Sequence, residues 1–236
     1  MANDHPAIQI FAPRWLIPVA PRDEVLEDHA VWVADGQIEA ILPREEARRR
    51  QQASEHPIDW IDLPEHALIP GLVNGHTHAA MSLMRGLADD LPLMTWLEEH
   101  IWPVEGQMLG HDFVHDGTML AALEMIRGGT TTLSDMYFFP EAAIEAVQTA
   151  GLRGVFGIVV IDNPNPWSAD PEEALAKGID LVNDWRRHPR IEFTLAPHAP
   201  YTVGDAALER VRTMSDQLDL PVHMHVHETA HEVETA

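Results

Sequence analysis

The chain has 236 residues and is 45% hydrophobic, enough to bury the core of one domain or two. It contains no cysteine, which excludes structural disulfides, thiolate metal sites and a cysteine nucleophile; any metal must be held by His, Asp or Glu, and fifteen histidines are present. A formal charge of −23, with Lys177 the sole lysine, excludes a nucleic-acid partner, whose phosphates need a basic footprint.

No apolar run approaches the ~20 residues that span a bilayer, so no membrane partner is expected. Met1-Ala2-Asn3-Asp4-His5 lacks the basic flank and apolar core of a secretion signal, and a cytoplasmic location is the expectation. Residues 7–67 read as short strands and turns. Val31 to Leu42 carries apolar runs on either side of Asp35-Gly36, a hairpin signal, and Pro43 to Gln52 is a charged, arginine-rich stretch expected to be a solvated helix.

From Ala67 the pattern alternates strands with helices, the mark of βα units and a parallel sheet. Strands are expected near 68–75, 131–135, 153–161, 191–197 and 221–227, and helices over 111–127, 140–150, 171–187 and 204–219. Asp112 or His111 is expected to open the first of these helices and Gly128-Gly129 to close it, while Pro171 suits a first helical turn. The pattern alone fits an open doubly wound sheet or an incomplete barrel. No Gly-x-Gly-x-x-Gly fingerprint follows a strand.

Pro70-Gly71-Leu72-Val73-Asn74-Gly75-His76-Thr77-His78 reads as a metal site at the end of a buried strand. Alternation turns Asn74, His76 and His78 one way and Thr77 the other, so two imidazoles can reach one ion. A bare His-x-His is often two unrelated histidines; a further cluster strengthens the metal reading. His198 follows the fourth strand, and the fifth would turn His223, His225 and His227 to one face, with Glu228 starting the loop. The strands thus gather histidines at their C-terminal ends, where barrel enzymes place their sites. His223 and His227 are expected to hydrogen-bond in the interior or behind the ligands. Met81, Met84, Trp96 and Trp102 could line a pocket but read as packing.

Gly71 to His78, Met84 to Leu93, Trp96 to Glu105, Gly128 to Thr132 with Asp135 to Phe138, and Ala196 to Thr202 resemble, in this order, the amidohydrolase superfamily. Within it the resemblance is to deaminases of 5′-methylthioadenosine and S-adenosylhomocysteine, and it covers nearly the whole chain. It implies an α/β (β/α)₈ TIM-barrel hydrolase, here with its first five strands (68–236) after a small β-sandwich-like unit (1–67). It further implies that His76, His78 and His225 ligate one divalent metal, usually Zn²⁺, with His225 chosen because it stands three residues before the catalytic Glu228. Glu105 and His198 would contact a small nucleoside substrate, Glu105 accepting from ribose hydroxyls; without the resemblance Glu105 reads as a solvated helix-end carboxylate. Binuclear relatives bridge their metals with a carbamylated lysine from a strand, whereas Lys177 lies in a helical pattern, which favours a single-metal, deaminase-type site.

The resembled pattern continues with a histidine on strand six and a metal-binding aspartate on strand eight, and a barrel alone needs ~250 residues. The chain therefore reads as the N-terminal portion of an enzyme, with poor solubility, an exposed edge that favours association or a homo-oligomer, and no turnover expected of it in isolation. No arginine near Ile158 or Trp167 offers itself for a homocysteine carboxylate, which leaves methylthioadenosine, S-adenosylhomocysteine and adenosine as candidates. Two other readings stand beside the aminohydrolase. One is a relative acting on a free base or ring such as guanine, a triazine or an imidazolone; the other is a non-catalytic metal-binding fragment.

Overall fold

In the computed structural model, which describes residues 8–235, Asp35 and Gly36 take φ values of 49° and 75°, the paired left-handed residues a two-residue hairpin needs. They join β3 (His29–Ala34) to β4 (Gln37–Pro43). The reading of Met1 to His5 lies outside the described residues. The structure divides into two compact units, one ending at Pro70 and the other beginning at Gly71.

In the first unit, β1 (Ile8–Leu16) pairs antiparallel with β2 (Leu26–Glu27) and β3, and parallel with β5 (Ile58–Leu68). The charged stretch forms the helix Arg44–Ala53. Its Ala47 is buried with Ile10, Ala12 and Ala30, and Trp32, Leu42, Ile58 and Trp60 pack against them. The described residues thus form a single five-stranded sheet with one helix, not the sandwich-like pair of layers expected. Arg48 stacks 3.4 Å from the Trp60 ring, so a residue of the solvated face contributes its guanidinium to packing.

The second unit carries a parallel sheet in chain order: β6 (Leu72–Thr77), β7 (Thr130–Asp135), β8 (Arg153–Val160) and β9 (Ile191–Pro197). The connecting helices His111–Arg127, Pro140–Ala150 and Pro171–Trp185, and Asp205–Leu218 after β9, lie close to the expected ranges. The first of them opens at His111, with Gly110 as its N-cap and Gly128 at its C-terminal end. Asp170 caps the third by accepting from Glu173 N at 2.8 Å, with Pro171 in the first turn. β8 and β9 are buried on both faces, as parallel strands between helices are, and Phe156, Ile158, Val160 and Ile191 form the centre of the core.

Two strand expectations are corrected. The Leu68 to Val73 run is not one buried strand: Leu68 ends β5, Pro70-Gly71 interrupts the chain, and β6 starts at Leu72. Leu72 and Val73 are 50% and 69% exposed, and among the described residues β6 has a neighbouring strand, β7, on one side only. The expected fifth strand is a single bridge from Val222 to Leu195. Residues 221–225 run extended beside β9, with Leu195 N donating to Pro221 O, His223 N to Leu195 O and His225 N to His198 O.

Candidate metal centre and cavity

The end of β6 is fastened to the end of β7. Thr77 Oγ1 shares its one proton between Asp135 Oδ1 (2.8 Å) and Ser134 O (3.0 Å), Met136 N donates to Thr77 O (2.9 Å), and Ala79 N donates to Asp135 Oδ1 (2.7 Å). The helix His111–Arg127 presses on the turn that follows: a Cβ on Gly117 would stand 2.4 Å from Ala80 O, so only glycine permits this approach. These contacts set the backbone on both sides of His78.

His78 Nδ1–H donates to the Met136 carbonyl at 2.6 Å, and His225 Nδ1–H donates to the His198 carbonyl at 2.8 Å. A carbonyl oxygen only accepts, so each Nδ1 carries the proton and each neutral ring has its lone pair at Nε2. Those two Nε2 atoms face each other at 3.2 Å, where neither can donate. The His76 ring lies 4.9 Å from both, and the three residues offer ligand atoms within 4.8 Å of one another. Facing lone pairs of neutral imidazoles suit a divalent cation of the zinc type, and the donor set fits it.

The electrostatics favour the neutral rings of His76 and His78. His76 is lowered to about 4, first by desolvation and then by His78, His225 and His223; His78 is lowered by burial above all. His223 stands behind His76, its Nε2 2.9 Å from His76 Nδ1. His227 leaves their face: it has φ 57°, is exposed, and donates its N–H to Glu232 Oε1 at 2.7 Å. The period-two alternation expected for these three histidines therefore holds for the first two only, because the strand ladder has ended.

A cavity of about 350 Å³ opens onto this cluster, and His78, His225, His198, Glu105 and Glu228 all line it. His198 is lowered to about 4 by burial, then by His225 and His78. Its Nδ1–H donates to Thr202 Oγ1 (2.8 Å), whose own proton goes to Ala199 O (3.2 Å), so Nε2 of the neutral ring is an acceptor. Glu105, on the helix Trp102–Met108, accepts from the Tyr137 hydroxyl at 2.5 Å on Oε1. Burial raises its pKa and that hydrogen bond opposes the rise, so it is not a solvated helix-end group. Glu228 Oε2 accepts from the Tyr201 hydroxyl at 3.0 Å.

Several members of this arrangement were not legible in the sequence. Asp135, Tyr137, Tyr201 and Glu232 act through hydrogen bonds whose partners are distant in the chain or across a turn; the only local signal was the position of Asp135-Met136-Tyr137 at a strand end. Met81, Trp96 and Trp102, read as packing, line the cavity, while buried Met84 borders a neighbouring depression. Helical residues 93–108 bring these tryptophans and Glu105 to one wall through a π-helical turn at Leu97–Ile101. Lys177 lies in the helix Pro171–Trp185, donating to Trp167 O at 2.6 Å and pairing with Glu173 at 2.8 Å.

Comparison with known proteins agrees with this geometry. The amidohydrolase family model matches residues 67–236. A 5-methylthioadenosine/S-adenosylhomocysteine deaminase of Saccharophagus degradans is 46% identical over 99% of the chain and 51% of its own length. A protein of the same name from Thermodesulfovibrio yellowstonii is 40% identical over 95% of the chain and 51% of its length. The chain thus spans about half the length of the curated relatives it matches. Among solved structures, an adenosine deaminase from Xanthomonas campestris with bound zinc superposes with a TM-score of 0.91 at 48% identity, over 96% of this chain and 51% of that one. A triazine hydrolase superposes with a TM-score of 0.81 at 18% identity, over 94% of this chain and 53% of that one, and shares the fold. On the matched residues and the histidine cluster together, the chain belongs to the amidohydrolase family.

Proposed function

We propose that the whole protein is a metal-dependent aminohydrolase that deaminates adenine nucleosides, 5′-methylthioadenosine, S-adenosylhomocysteine or adenosine, to the inosine-type product and ammonia. The observation that carries this reading is the pair of Nε2 atoms of His78 and His225, 3.2 Å apart, on the wall of a cavity that also presents Glu228, Glu105 and His198. His76, His78 and His225 would hold one Zn²⁺, and a divalent ion, when bound, supplies the Lewis acidity that makes hydroxide available from water near neutral pH.

The protein's own groups then divide the work. Glu228 takes a proton from the attacking water and delivers one to the purine ring, its carboxyl steadied by Tyr201 through Oε2. A C–O bond forms at the carbon bearing the amino group, the second proton of the added water passes from the new hydroxyl to the amino nitrogen, the C–N bond breaks, and ammonia leaves. Glu105 has Oε1 engaged by Tyr137, which leaves Oε2 to accept from a ribose hydroxyl. His198, with Nε2 as an acceptor, contacts the nucleoside. Met81, Trp96 and Trp102 supply an apolar wall for the base and the substituent at the 5′ carbon.

The names of the relatives at 40–46% identity and the zinc-bound structure at 48% support the substrate class and the metal. In this reading residues 68–236 are the N-terminal part of a (β/α)₈ barrel and residues 1–67 the N-terminal part of a small β domain. The protein works in the cytoplasm on a small molecule, and a homo-oligomer is allowed. The test begins with an intact mass of the purified protein, so that the polypeptide assayed is known. An ultraviolet adenine-to-hypoxanthine assay on methylthioadenosine, S-adenosylhomocysteine and adenosine follows. Zinc-dependent turnover lost in H78A supports the reading. Turnover of guanine or a triazine with none of these nucleosides overturns it.

A further inference from the structure

Among the described ligand candidates, His78 is flanked on both sides by residues that hydrogen-bond to Asp135, at the end of β7. Asp135, the last residue of β7, and Met136 just after it make four hydrogen bonds to residues 77–79, one of them to His78 itself. Asp135 Oδ1 accepts from Thr77 Oγ1 at 2.8 Å and from Ala79 N at 2.7 Å, the residues before and after His78. Met136 N donates to Thr77 O at 2.9 Å, and Met136 O accepts from His78 Nδ1 at 2.6 Å. Asp135 is 3% exposed, so its carboxylate gives up water for these contacts. A buried carboxylate is costly unless its hydrogen bonds are made, and here two donors converge on one oxygen. Its partners flank a histidine that the proposed chemistry needs, while Asp135 itself has no place in that chemistry.

We propose that Asp135 is the positioning residue of His78: by holding Thr77 Oγ1 and Ala79 N on one oxygen, it fixes the backbone that aims His78 Nε2 at the metal position. This rests on the reading that His78 is a metal ligand. The alternative is that Asp135 only secures the β6–β7 end, in which case its loss lowers stability and leaves the metal site of the folded protein unchanged. Groups behind the ligands typically tune metal affinity by about 10- to 100-fold.

The test is a Co²⁺ titration of the whole protein, read by the visible d–d absorption of the bound ion, with melting temperature measured alongside. In D135A, Co²⁺ affinity is expected to fall about tenfold or more, with a changed band shape, because His78 is free to turn. D135N keeps an oxygen that accepts both hydrogen bonds and is expected to bind within about threefold of wild type. T77V removes one donor and is expected to lie between them; it carries the test if D135A does not fold. Wild-type affinity and band shape in folded D135A, or in T77V where D135A fails to fold, overturn the proposal, even if the melting temperature falls. Equal losses in D135N and D135A overturn the acceptor role. Failure of the wild type itself to bind Co²⁺, with H78A no different, sinks the metal reading and this proposal with it, and is told apart from the other outcomes by the wild-type trace alone.

Discussion

His78 Nε2 and His225 Nε2 stand 3.2 Å apart with both Nδ1 protons committed to backbone carbonyls. Two lone pairs that close repel unless a cation lies between them or one ring takes a proton, and the low pKa of His78 opposes protonation. Zinc is therefore expected to stabilise the folded protein. At a hundredfold excess over its Kd the gain is about 2.7 kcal/mol, seen as a raised melting temperature that a chelator reverses. H78A and H225A should show no such shift, and an equal shift in either would count against the site.

The pH dependence of the metal-free protein follows from three groups with large shifts. His76 and His198 fall from 6.5 to about 4 on folding, so between those values the unfolded chain binds more protons and stability rises with pH. Asp135 goes the other way, raised by burial from 3.8 to about 6, so it favours the folded state at low pH and loses that contribution as pH rises through the same window. His76 and His198, with His78 and His223 lowered too, outnumber the raised carboxyls Asp135 and Glu105. The urea midpoint should rise between pH 4.5 and 6.5, and a fall over that range would mean the histidines are not held neutral.

G117A tests how tightly the helix His111–Arg127 seats the metal turn. A methyl 2.4 Å from Ala80 O meets backbone, which no rotamer change relieves. Overpacking of this kind costs about 1–3 kcal/mol, measured as a lowered urea midpoint. G117A should also weaken zinc binding, because Ala80 lies two residues beyond His78.

Y137F removes the donor to half-buried Glu105 Oε1. A hydrogen bond to a charged group contributes about 1.5–3 kcal/mol, so KM for methylthioadenosine should rise roughly tenfold or more while turnover of any free base is spared. Equal losses on both would remove Glu105 from ribose recognition.

Glu232 accepts the backbone N–H groups of His227 and Glu228 at 2.7 and 3.0 Å, while its own N–H donates to Thr229 Oγ1 at 3.1 Å. This is a variant of the capping box, and it aims the chain that carries Glu228. E232A should lower kcat by about a hundredfold, the scale of a 1 Å misplacement, with zinc affinity kept. Unchanged kcat would show that Tyr201 alone holds Glu228.

Local rules carried much of the fold. The Asp35-Gly36 turn, Pro171 in a first helical turn, Gly128 at a helix end and the apolar runs of β8 and β9 each act within a few residues, so the sequence by itself determined these elements and a parallel sheet, while the chain order of its strands came from the tertiary structure. It also placed His76 and His78 two apart on one strand face and His225 three residues before Glu228. Tertiary structure decided what depends on separation in the chain. β6 began only at Leu72, after Pro70-Gly71, and residues 221–225 ran beside β9 with a single bridge. His223 came behind His76 across 147 positions of sequence, and Asp135, Tyr137 and Tyr201 found partners 27 to 58 residues away. Side-chain hydrogen bonds over such spans leave no periodicity to read, because it is the packed sheet, not the spacing of residues, that brings donor and acceptor together.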